Sequence, residues 1–188
     1  MEKPKYKNRK IQVDVSLAGI QSALIFAPFN KALENLDKNG YEIISLSQNS
    51  QIRIKLGRIS TTSIVGDGNY TREGIIYFPK GKPKLVRNSP ILYSAKEAVE
   101  SHRNNKEFYP KKEQIEQALT DSIDFPEKSI EILTSRFDSE QLTAWAFGGE
   151  KEARAYGEFL REIGIKNMSI GVIRREYVDK HKKPFFIV

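Results

Sequence analysis

Seven side chains between positions 53 and 87 have the types and spacing to meet a polyanion: Arg53, Lys55, Arg58, Tyr77, Lys82, Lys84 and Arg87. Ile52, Ile54 and Leu56 alternate with Gln51, Arg53 and Lys55. Such a period of two predicts a strand with an apolar inner face and a cationic outer one. Lys80, Lys82, Lys84 and Arg87 crowd a glycine- and proline-bearing turn and the segment after it, with Tyr70 and Tyr77 in between. Cations on a sheet face would follow phosphates while an exposed ring stacks on a base, which suits unpaired nucleic acid. The competing explanation is that lysines on outer strands prevent edge-to-edge pairing.

Other chemistries have less to stand on. Gly66-Asp67-Gly68-Asn69 offers backbone N–H groups to an anion, but it also has the composition of a hairpin turn. It lacks the lysine of a phosphate-binding P-loop and the ligand series of a calcium loop. Gly148-Gly149 precedes a helical pattern, yet Glu150 and Glu152 follow it at once. Acids there suit the helix dipole and repel phosphate. The order Arg58, Ser60-Thr61-Thr62-Ser63 and Glu150-Lys151-Glu152 resembles the arginine, Ser-Thr-Ser and Glu-x-Glu order of ADP-ribosyltransferases. The Ser-Thr-Ser is not intact, however, and no residue is carried over from that family. Asp14, Glu42, Asp67 and Glu73 follow no spacing that gathers them for metal-assisted chemistry. With no cysteine and only two histidines, thiolate sites and zinc are set aside, and no metal or other cofactor is expected. His102 falls at helical spacing with Leu92, Ala95 and Val99 as a boundary residue, and His181 falls in a lysine-rich solvated turn. No catalytic residue can be named.

The elements that would position these groups follow from periodicity. Ile11–Leu17 alternates as a strand. Pro28 would open a helix stopped by Asn39-Gly40, and Tyr41–Leu46 reads as a strand. With the strand through 51–56, β-branched residues at 61–65, Tyr70–Phe78 and Leu85-Val86, the stretch 41–87 reads as an antiparallel meander. Helical spacing begins at Pro90 and again at Pro110, and Ile130–Ile132 suggests a strand. Leu142–Phe147 fits either a strand or a helix opened by Asp138 and Gln141, with the strand favoured. Ala153, Tyr156, Phe159, Leu160 and Ile163 mark one stripe of a helix over 150–163, ended by Gly164. Strands at 168–178 and 185–188 flank a turn.

The chain has 188 residues and a net charge of +7, unevenly spread. Net charge is +4 over residues 1–10, +4 over 11–90, −4 over 91–170 and +3 over 171–188. Trp145 and its apolar neighbours read as core. Ile outnumbers Leu 21 to 12, which favours sheet. The expectation is a basic arm over 1–10 and one α+β domain over 11–188, its antiparallel or mixed sheet packed by about four helices. No apolar run is long enough for a membrane helix and the N-terminus is polar, so a cytoplasmic chain without membrane association is expected. The expected function is non-catalytic binding of nucleic acid or another polyanion, with single strands or RNA favoured. The alternatives are a protein-interaction or structural module with a solubilising basic surface, and a hydrolase or transferase whose site is assembled from distant residues.

Overall fold

The computed structural model describes residues 11–17, 20–25, 27–57 and 70–187. The expected arm at 1–10, Arg58, the expected strand at 61–65 and the Gly66–Asn69 turn lie outside the described residues. The chain is α+β. β1 (Ile11–Leu17) and β2 (Ile20–Ile25) form an antiparallel hairpin, with Ile11 opposite Ile25 and Leu17 opposite Ile20. β2 was not foreseen. α1 (Phe29–Lys38) follows Pro28, and Gly40 at φ 73° ends the turn after it.

The largest correction concerns residues 41–57. No strand forms at 41–46, and 46–57 is a helix, α2 (Leu46–Gly57), rather than the cationic strand. Its start explains why. The Gln48 N–H donates to Ser45 Oγ, and the Ser45 N–H donates back to Gln48 Oε1, a reciprocal capping box. The Leu46 N–H donates to Glu73 Oε2, so a carboxylate satisfies another of the free amides at the helix start. Ile52 and Leu56, four apart, share one face of a helix as readily as one face of a strand. Ile52 is buried there.

The meander therefore reduces to β3 (Gly74–Tyr77) and β4 (Lys84–Val86), joined by the Lys80–Pro83 turn. With β5 (Ser122–Asp124) and β8 (Phe185–Ile187) they form a four-stranded antiparallel sheet in the order β5-β4-β3-β8. Both faces of its centre are covered. Ile76 and Val86 pack against Ala118 and Ile115 of α4 (Lys112–Leu119), while Tyr77 turns to the other face with Phe185 and Val178. Preceding α4 are a short 3-10 turn at Pro90–Tyr93 and α3 (Ala95–Arg103).

A second core lies where β6 (Ile130–Leu133) and β7 (Asn167–Ile170) form a two-stranded ribbon against α5 (Gln141–Phe147) and α6 (Glu150–Glu162). Leu142–Phe147 is thus helical and not the favoured strand. Thr143 Oγ donates to the Phe137 and Glu140 carbonyls, and left-handed Gly148 at φ 91° caps the end. α6 carries Ala153, Tyr156, Phe159 and Leu160 of its expected stripe into a cluster with Phe137 and Phe147, whereas Ile163, just past the helix end, is exposed. Gly157 is required there: a Cβ would lie 2.2 Å from the Thr134 carbonyl oxygen. The expected strand over 168–178 ends at Ile170, and Arg175–Val178 is a short helix, α7. Among the described residues, no helix is long and apolar enough to cross a membrane.

Candidate nucleic-acid interface

The fold divides the expected cationic row. On helix α2, Arg53 and Lys55 are two residues apart and so point about 200° away from each other. Arg53 is half-buried and Lys55 exposed. Tyr77 is only 3% exposed, stacked on Phe185 at 5.5 Å, and its hydroxyl accepts from the Ile173 N–H. It is a core residue and not a stacking platform. Alternation was a poor guide here because both faces of β3 are covered.

The cations in and beside β4 pair with neighbouring elements. Lys84 Nζ sits 2.5 Å from Asp124 Oδ1, and Lys82 Nζ 3.8 Å from Asp124 Oδ2. The hydrogen bond from Lys84 holds the Asp124 carboxyl below the usual carboxylate range. Arg87 is only 21% exposed. Its guanidinium lies 3.6 Å over the Trp145 ring, and Nη2 donates to the Trp145 carbonyl oxygen. Its other nitrogens face Asp121 at 3.7 Å and Glu73 at 4.0 Å. Glu73 is 1% exposed, caps α2 with one oxygen and turns the other toward Arg87. Arg87 thus ties β4 to α5 and, through Glu73, to α2. Sequence reasoning missed this because Arg87 and Trp145 are far apart in the chain.

A different cationic surface survives. The Lys80–Pro83 turn docks on α7: the Lys80 N–H donates to Asp179 Oδ1 at 2.9 Å, and Arg175 Nη1 donates to the Gly81 carbonyl. Arg175 also pairs with Asp179 at 2.9 Å and approaches Glu127 at 3.9 Å. The Lys80 amide, and then the Arg175 guanidinium, hold the Asp179 carboxyl below its ordinary value. The two basic clusters, one in the β3–β4 turn and one at 174–183, therefore adjoin. Exposed Lys80, Arg174, Lys180 and Lys182 form no ion pair within 4 Å among the described residues, although the Lys80 charge also acts on Asp179.

Within this surface Tyr177 is 54% exposed. Its neighbour His181 is not in a solvated turn: its side chain is 8% exposed and stacked on Phe185 at 4.1 Å. The His181 ring also faces the Tyr177 carbonyl at 3.0 Å and Glu107 at 3.5 Å. The Tyr109 hydroxyl donates to the other Glu107 oxygen, which pushes the phenol up to about 12.

Elsewhere, a cleft of about 120 Å³ is lined by Arg87, Asn88, Tyr93, Gln117, Thr120 and Asp121. Ligand pockets are commonly about 300–1,000 Å³. Glu150 and Glu152 occupy the first turn of α6, as the dipole argument expects. Among the described residues, no three His, Asp or Glu side chains gather as a metal site.

No protein-family model matches the sequence, and no curated protein sequence matches it. The structure is similar to a solved one described as "Accommodation of massive sequence variation in Nanoarchaeota by the C-type lectin fold", with a TM-score of 0.57 and 16% identity over 97% of this chain and 87% of that one. At that identity the likeness speaks for the fold alone, and the fold it points to is that of the C-type lectins.

Proposed function

We propose that this protein is a non-catalytic nucleic-acid-binding domain. In this reading its contact surface is formed by the β3–β4 turn and the segment 174–183. One observation carries it: Asp179 and Arg175 stitch the two cationic clusters together, so that exposed Lys80, Arg174, Lys180 and Lys182, none of them in an ion pair within 4 Å among the described residues, outnumber exposed Glu176 on one surface. A surplus of unpaired cations on one surface raises the local concentration of polyanions and positions phosphates. Lys82, in the same turn, joins the footprint only at its margin, and Arg53 and Lys55, on α2, stand outside it. Lys84 and Arg87 serve the fold.

Fluorescence anisotropy with a labelled single strand, across a sodium chloride series, tests this. About four phosphate contacts would give log affinity against log salt a slope of roughly −3 for a single strand. The double reversal K80E/K180E should flatten that slope and weaken binding at least tenfold while leaving the melting temperature in place. Salt-independent binding, or an unaffected double variant, would sink the proposal.

A second reading, a protein-interaction module, is favoured by Leu133, Ile163 and Ile165, all exposed at one end of the β6–β7 ribbon. The solved lectin-fold structure, described as accommodating massive sequence variation, shows that a similar scaffold tolerates change. Self-association or partner capture that is lost with L133K/I165K, with no oligonucleotide binding, would favour this reading.

A further inference from the structure

The geometry points to Tyr177 as a base-stacking platform, so that the partner of the basic surface is a nucleic acid with unpaired bases and not a closed duplex. This rests on the reading above and narrows it.

A single exposed tyrosine usually needs no explanation. Tyr70, at 65%, and Tyr93, at 58%, are more exposed than Tyr177. Tyr70 lies against Phe29, and Tyr93 borders the Arg87 cleft. Tyr177 differs from them in two respects. First, it is mounted on a column of rings. It meets His181 at 4.8 Å, tilted 58°, and Phe185 edge-on at 6.1 Å. His181 stacks on Phe185, which stacks on the buried ring of Tyr77. The next residue, Val178, is 2% exposed and anchors α7 from below. A ring held in this way loses little conformational freedom when a base settles on it.

Second, it is bracketed by charge. Arg174 and Lys180 lie three positions before and after it, the Lys80 turn is bonded to Asp179 beside it, and these cations outnumber the adjacent exposed Glu176. Cations around a half-exposed ring are the arrangement that binds single strands, with phosphates on the cations and a base on the ring. Bases in a closed duplex are stacked on each other and cannot offer a face without being unstacked.

A 12-nucleotide strand carrying 5-bromouracil, irradiated with the full chain, should cross-link to Tyr177. Y177A should weaken single-strand binding about tenfold, as one lost stacked base would. Its salt slope and duplex affinity should stay unchanged. Y177F should restore binding, and Y70A and Y93A should bind as wild type. A normally folded Y177A that binds the single strand with wild-type affinity and salt dependence overturns this inference alone. Wild-type protein that binds no strand overturns it together with the reading above.

Discussion

The cations of β4 and those of the α7 surface are the same residue types in the same basic chain, yet they do opposite work. Arg87 lies against an indole face with a buried carboxylate beside it, and Lys84 shares Asp124 with Lys82. Lys80, Arg174, Lys180 and Lys182 project from turns where Asp179 is already committed to Arg175 and to a backbone amide, which leaves exposed Glu176 as the acid among them. The first set is spent on joining elements, and the second is left to act on solvent and solutes. Net charge alone would count both sets alike. Partner geometry separates a structural cation from one able to recognise a ligand.

The contrast is most easily broken at Arg87. Arg87→Ala should destabilise the protein by about 3 kcal/mol, because it strands the Glu73 carboxylate, and urea unfolding measures this. Arg87→Lys should recover little, since an ammonium cannot reproduce a planar guanidinium over indole. A loss under about 0.5 kcal/mol would mean that β4 and the α7 surface do not differ as described. Lys180→Ala and Lys182→Ala should stay within about 0.5 kcal/mol of wild type in the same assay, since neither has an ion-pair partner among the described residues.

Acid should sharpen the difference by a smaller effect. The Asp179 and Asp124 carboxyls are held below their ordinary values in the folded chain. Their contribution is therefore present above the unfolded value, about 3.9, and lost as pH falls through the folded values below it. Below about pH 4 the Lys80 turn should release α7 first. Hydrogen exchange at Lys80 should accelerate there before the amides of β3 do. D179N should remove that step, and unchanged exchange in D179N would count against the stitch.

How much of this was legible in advance depended on the range of the forces involved. α6 could be read because one stripe repeats over more than three turns and a glycine ends it. The β3–β4 hairpin could be read from its Gly81-Pro83 turn. α2 was misread because a short alternating run satisfies two periods, although Ser45 and Gln48 stood at capping-box spacing before it. Leu142–Phe147 was misread for the same reason of length. The binding surface was half legible: both clusters were visible as clusters, but their junction depends on Asp179 reaching a backbone amide a hundred positions away. No pattern in the sequence announces a contact of that kind. Tyr77 and Tyr177 illustrate the limit most directly. Tyr77 follows two isoleucines in a central strand and is covered, while Tyr177 stands among charged residues on α7 and is exposed, although both rings touch Phe185.

The pairing of β8 with β3 carries a consequence for how the molecule is made. Tyr77 finds its partner Phe185 more than a hundred positions later, so a growing chain leaves the ribosome with one edge of its central sheet open until that late segment emerges. Throughout that interval Ile76 and Tyr77 are partly uncovered, and a chaperone that shields extended apolar backbone would find its substrate there.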